Sequence, residues 1–209
     1  MKRRDALKLI AGAAALPALY SQDLFALGRQ IHQQLGSATA PKTLNPHQNA
    51  TISAIAEMII PATDTPGAKA ARVPEFIDLI LTEWCTGDDC GQFISGLAET
   101  DARSRKIFGK DFVGCDPQQQ TELLTALDEE LTQLREANVR GRPHASAARR
   151  EVETPVERNF FYVMKRLTLI GYYTSEVGWT KELGRPPVHM GPYQGCVPLA
   201  DAPGKTNAS

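Results

Sequence analysis

The chain has 209 residues, 42 % apolar and 22 % charged, with a formal net charge of −1. That length and composition suit one soluble globular domain with its own core. So balanced a charge gives no field for gripping nucleic acid or an anionic membrane. The charge is unevenly placed, however. Residues 1–22 hold Lys2, Arg3, Arg4 and Lys8 against Asp5, which leaves 19 basic and 23 acidic residues beyond them, near −4.

The N-terminal basic head precedes a mild apolar run from Leu7 to Leu19, diluted by alanine and glycine. The run is too short and weak to span a bilayer comfortably. A basic head followed by such a run reads as an export signal, and Arg3-Arg4 makes it the twin-arginine type. Ala13 to Ala15 is one candidate for cleavage. Two other readings stand beside this one: an ordinary amphipathic helix, and a signal kept as a weak anchor.

Beyond the signal the apolar residues recur at helical spacing. Leu24, Leu27, Ile31 and Leu35 share one face of a linker helix within 23–43. Asn45-Pro46 is a helix start, since asparagine caps and proline suits the first turn. Ile52, Ile55, Ile59 and Ile60 follow, and Pro61 ends the helix. Residues 61–74 form a turn-rich loop. Within it, Asp64-Thr65-Pro66-Gly67 reads as a turn built by side-chain bonds and glycine freedom.

Pro74 opens the next helix, with Phe76, Ile77, Ile80, Leu81 and Trp84 as its buried stripe. Phe93, Ile94, Leu97, Ile107 and Phe108 mark another. Asp116-Pro117 repeats the cap-plus-proline start ahead of Leu123, Leu124, Leu127, Leu131 and Leu134. Residues 138–156 carry no apolar period and read as a mobile, basic surface loop. Phe160, Phe161, Val163, Met164, Leu167, Leu169 and Ile170 form the most apolar helix, expected at the centre of the core. The rest, rich in glycine, proline and aromatics, is expected to be largely irregular. The fold class is therefore mostly α: a single helical domain of about five to seven helices over 44–199, with a long irregular C-terminal tail. Residues 200–209 are its flexible end.

The four cysteines are Cys85, Cys90, Cys115 and Cys196. None forms a C-x-x-C pair, which argues against a zinc ribbon or thioredoxin-like motif. In an exported protein an even count favours disulfides. Three connectivities are open. The preferred one joins Cys85 to Cys90 across the polar tetrapeptide TGDD, and Cys115 to Cys196. The second bridge would close a long loop worth ~3–5 kcal/mol. The alternative is buried free thiols.

The chain lacks the dinucleotide, P-loop, zinc-protease, haem-attachment and nucleophile-elbow motifs. No catalytic, cofactor or metal residues are assigned. His32 and His144 fall in segments expected to be exposed. His189, in PPVHMGPY, reads as a packed loop histidine more readily than as an acid or base. Tyr172-Tyr173-Thr174-Ser175-Glu176 has two readings: a partner-contacting edge, since tyrosine suits interfaces, or a helix end capped by its own polar side chains. A small enzyme using Asp64, Glu176 or His189, and a free-standing periplasmic binding or scaffold protein, are the rival functions.

Taken in order, these runs resemble a known family. Ile59-Ile60-Pro61 with Thr63-Asp64-Thr65-Pro66-Gly67-Ala68, Leu167-Thr168 with Gly171 to Glu176, and Gly191-Pro192-Tyr193-Gln194-Gly195-Cys196 are similar to the signatures of the gluconate 2-dehydrogenase subunit 3 family. Val73, Phe76-Ile77-Asp78, Phe108-Gly109 and Phe112 lie between them in the expected order, so the resemblance covers 44–197. It implies a non-catalytic small (gamma) subunit of a periplasmic sugar or sugar-acid dehydrogenase. The large subunit resembles the glucose–methanol–choline oxidoreductases and holds FAD. A multihaem cytochrome c subunit completes many such complexes. It further implies that the small subunit supplies the export signal for a large subunit without one. Partner contacts fall to Asp64, Thr65, Pro66, Gly67, Tyr172, Tyr173, Thr174, Ser175, Glu176 and, in the tail, Tyr193. The basic 138–156 loop departs from the family pattern.

Overall fold

A computed structural model of the chain describes residues 42–140 except 84 and 86, residues 156 and 158–184, and, ahead of these, Gly28, Ile31, His32 and Leu35. From residue 42 on, five α-helices follow one another among the described residues: α1 (Pro46–Ile59), α2 (Val73–Glu83), α3 (Gly87–Phe108), α4 (Pro117–Arg140) and α5 (Phe160–Thr174). A 3-10 turn (Phe112–Gly114) links α3 to α4, and a π-helical turn (Gly178–Glu182) follows α5. There is no strand among the described residues.

The helix starts are set by local chemistry. The Asn45 side chain accepts from the Gln48 amide at 2.8 Å, and the Gln48 side chain accepts in return from the Asn45 amide at 3.0 Å. This reciprocal box satisfies donors that an uncapped first turn would leave open. Asp116 and Gln119 repeat it at α4, with bonds of 3.0 and 3.2 Å. Asn159 caps α5 through the Tyr162 amide at 3.1 Å. At α3 the charges do the work: Asp88 and Asp89 in the first turn, Arg105 and Lys106 in the last, each opposing the helix dipole.

The expected central helix is central. α5 packs against α1, α2, α3 and α4. Phe161, Tyr162, Met164, Thr168, Ile170, Gly171, Tyr172 and Thr174 are all buried, on more than one face, as befits a helix enclosed by others. α2 comes closest. A side chain at Gly171 would place its Cβ 2.8 Å from the Phe76 ring, so only glycine lets the two helices meet here. Ile52, Ile55, Phe76, Ile77, Leu97, Leu123 and Leu131 complete the same core.

Several expectations need correction. The tetrapeptide TGDD is not all turn, because α3 begins at Gly87 and takes in Cys90. Ile107 lies outside the core, 58 % exposed, while the adjacent Phe108 packs against it. Residues 138–140 are not loop but the last turn of α4. The chain after Ile170 is not irregular at once: α5 runs on to Thr174 and the π-helical turn reaches Glu182. His32 is half-buried rather than exposed. Leu24, Leu27, Trp84, His144 and residues 185–209 lie outside the described residues.

One buried carboxylate joins the chain's entry to the bundle. Asp78, 4 % exposed on α2, accepts from the amides of Lys42, Thr43 and Leu44 at 2.7, 3.1 and 2.8 Å. These amides precede α1 and have no helical partner there. Replacing Asp78 by Ala would leave three donors short of an acceptor, each bond charge-assisted. The expected loss is about 3 kcal/mol, read as a lower urea midpoint at unchanged slope.

Candidate functional site: the junction of the two signature runs

The loop after α1 is held from beneath by a single glutamate. One Glu57 oxygen accepts from the Ala62 amide at 3.0 Å and the other from the Lys69 amide at 2.8 Å. The loop also closes on itself, through Ala68 N–H to the Ile60 carbonyl at 2.9 Å and Thr63 N–H to the Thr65 carbonyl at 3.0 Å. Gly67 lies directly over the Glu57 carboxylate. A Cβ there would stand 2.2 Å from Glu57 Oε1 and 2.6 Å from the Ala62 nitrogen. The glycine is thus required by close approach rather than by an unusual φ.

The second run meets the first across 106 residues of chain. The Tyr172 hydroxyl donates to the Pro66 carbonyl at 2.9 Å, and the Thr65 hydroxyl donates to Glu182 at 2.7 Å. Tyr172 itself is fully buried, so its ring carries the contact from the core to the loop. Ser175 then ends α5. Its hydroxyl donates to the Tyr172 carbonyl at 2.6 Å and accepts from the Gly178 amide at 3.0 Å. Thr174 donates to the Ile170 carbonyl at 2.6 Å. The helix-end reading of this run is therefore what the side chains do.

These positions sort the expected contact residues. Gly67, Tyr172, Thr174 and Ser175 are buried and act from inside. Thr65 is half-buried. Asp64, which accepts from the Thr63 hydroxyl at 2.8 Å, and Pro66 and Glu176 are exposed. Tyr173 is half-buried, its ring edge-on to Tyr172 with centroids 5.3 Å apart. Arg3, Arg4, His189, Tyr193 and Cys196 lie outside the described residues. Cys85 and Cys90 lie at disulfide distance, with Cα atoms 5.7 Å apart. Cys115 is buried with its sulfur 3.1 Å from the Ser104 hydroxyl.

A second grouping escaped the sequence reading. His47, Asp101 and Asp111 bring ligand-type atoms within 4.8 Å of one another from α1, α3 and the turn after it. Each is already engaged. His47 Nε2 is 2.7 Å from Asp101, whose other oxygen accepts from the Phe112 amide at 2.9 Å, and Asp111 pairs with Arg105. These bonds tie the 3-10 turn to α1 and α3. Their sequence spacing gives no motif, because three separate elements supply them.

The polar groups at the junction all point to backbone or to each other. Their chemistry is to fix a loop and leave its outer edge at the surface. Gly67→Ala should lower stability by about 1–3 kcal/mol through the forced shift of Glu57 and Ala62. Tyr172→Phe should cost about 1 kcal/mol for the lost loop bond. Denaturant unfolding of both variants checks this, and a neutral Gly67→Ala would show that the loop is not held this way.

A family model described as Gluconate 2-dehydrogenase subunit 3 matches residues 46–191. Compared with curated proteins and with solved structures, the chain matches none.

Proposed function

From the premise that the chain belongs to the gluconate 2-dehydrogenase subunit 3 family, we propose that it is the non-catalytic small subunit of a periplasmic FAD-dependent dehydrogenase complex. The family is that of a subunit in a dehydrogenase complex, which implies a dehydrogenase as partner. In this reading FAD and the sugar or sugar acid belong to a large subunit of the glucose–methanol–choline type. A multihaem cytochrome c subunit is a further partner. The small subunit stabilises the large one and carries it through the membrane on its own twin-arginine head, Arg3-Arg4.

The observation that carries the proposal is the junction itself, inside the matched span. Its glutamates, tyrosine and serine hold a signature loop in one conformation before any partner arrives. A recognition loop ordered in advance loses less entropy on binding than a mobile one. Rigid elements carrying exposed loops are the usual place for contacts. Asp64 and Pro66 on the loop and Glu176 after α5 are exposed, and Tyr173 is half-buried. An obligate subunit contact buries about 2,000 Å² or more, so these residues would be one part of a larger face. Binding only the folded partner stabilises it by mass action.

Two experiments separate export from docking. Replacing Arg3 and Arg4 by Lys in cells should strand the large subunit in the cytoplasm. Undiminished dehydrogenase in the periplasmic fraction would overturn the escort role. Asp64→Arg with Glu176→Arg changes exposed charges without touching the core. It should weaken co-purification of the large subunit roughly tenfold with an unchanged melting temperature. Full recovery of the complex would remove these residues from the interface.

A further inference from the structure

The helical positions Ile31, His32 and Leu35 precede the span that the family model matches. Yet they are built into the bundle. Ile31 is 0 % and Leu35 2 % exposed. Between them the His32 ring stacks on Phe76 of α2, with centroids 5.1 Å apart and planes inclined by 18°. Its Nε2 lies 2.7 Å from the Gly171 carbonyl oxygen in the last turn of α5. A carbonyl only accepts, so Nε2 carries the proton and the neutral ring keeps Nδ1 bare. Arg72, in the left-handed region at φ 58°, donates to the Leu35 carbonyl at 2.8 Å. The segment is thus pinned by two apolar side chains, one ring and one guanidinium.

The ring is the pin that responds to pH. We propose that His32 is an acid-sensitive clasp, and that protonation of Nδ1 by solvent releases the segment of Ile31 and Leu35 from its seat on α2 and α5. A charged imidazole can still donate to Gly171. What it loses is tolerance of its surroundings: a buried apolar seat and a ring face against Phe76. Among the described residues, the charged groups that bear on it are Arg72, which opposes the second proton, and Glu75 in the first turn of α2, which favours it. α5 contributes the Gly171 carbonyl, also favouring the proton. Burial outweighs these and holds the ring below its ordinary pKa of 6.5.

The sign follows. The clasped state prefers the neutral ring, so its contribution is complete above pH 6.5. It falls as the pH drops from that value through the lower, clasped one, and then levels off. Release bares the Phe76 ring face beside Tyr172, the residue that holds the signature loop.

Amide hydrogen exchange on the full chain between pH 8 and pH 5, with rates corrected for intrinsic chemistry at each pH, tests this. Wild-type Ile31, His32 and Leu35 should lose their protection on acidification while α1 to α5 keep theirs. His32→Gln retains a donor toward Gly171 but cannot titrate, and its protection should not vary with pH. The same acid step in His32→Gln would overturn the clasp, as would simultaneous loss of protection throughout the bundle. A His32→Gln segment unprotected at every pH shifts the decision to the wild type. There the NMR titration midpoint of the His32 ring must coincide with the midpoint of lost protection, and separate midpoints would overturn the proposal.

Discussion

A helix enclosed on most sides constrains everything that touches it. α5 is wrapped by α1, α2, α3 and α4, and its buried residues do not confine themselves to one stripe. Such a helix cannot rotate or slide without opening the packing of four neighbours at once, and close-packed interiors resist that. The end of α5 is therefore a fixed point. Tyr172, which belongs to the core by its ring and to the surface loop by its hydroxyl, transmits that fixity to Pro66. The signature loop is ordered because the central helix ends beneath it.

Four polar side chains, three of them buried, share one role. Asp78 serves three amides before α1, Glu57 two amides of the loop, Ser175 a carbonyl and an amide at the α5 terminus, and Asp101 both His47 and the Phe112 amide. Each stands where a helix begins, ends or is joined to a connection, which is where backbone groups lack helical partners. Burying such side chains is tolerable because those bonds are made.

Helix existence was legible because it rests on local chemistry. Asn45-Pro46 and Asp116-Pro117 announce α1 and α4 through capping that involves only residues three apart. The apolar run from Phe160 to Ile170 announces the central helix through its sheer apolar content. Boundaries were less legible where helices gain by continuing. Gly171 to Thr174 contains glycine, tyrosines and a threonine, none of them strong helix formers, and reads as a break. Packing of Tyr172 and the close approach of Phe76 to Gly171 outweigh that preference. Ile107 erred in the other direction: its spacing fits the edge of the buried stripe, but in the last turn of α3 it is Phe108 that meets the core while Ile107 faces solvent.

The sequence alone determined the class of the fold, the order of its helices and the family resemblance. All of these rest on residues near one another in the chain or on motifs met in order. Only the tertiary structure decided that Gly67 is required by Glu57 rather than by a turn, that Tyr172 faces Pro66, and that Ile31, His32 and Leu35 belong to the bundle instead of a linker. Those relations join residues tens to more than a hundred positions apart. Spacing along the chain carries no record of them, because they exist only once folded helices bring the side chains within bonding distance.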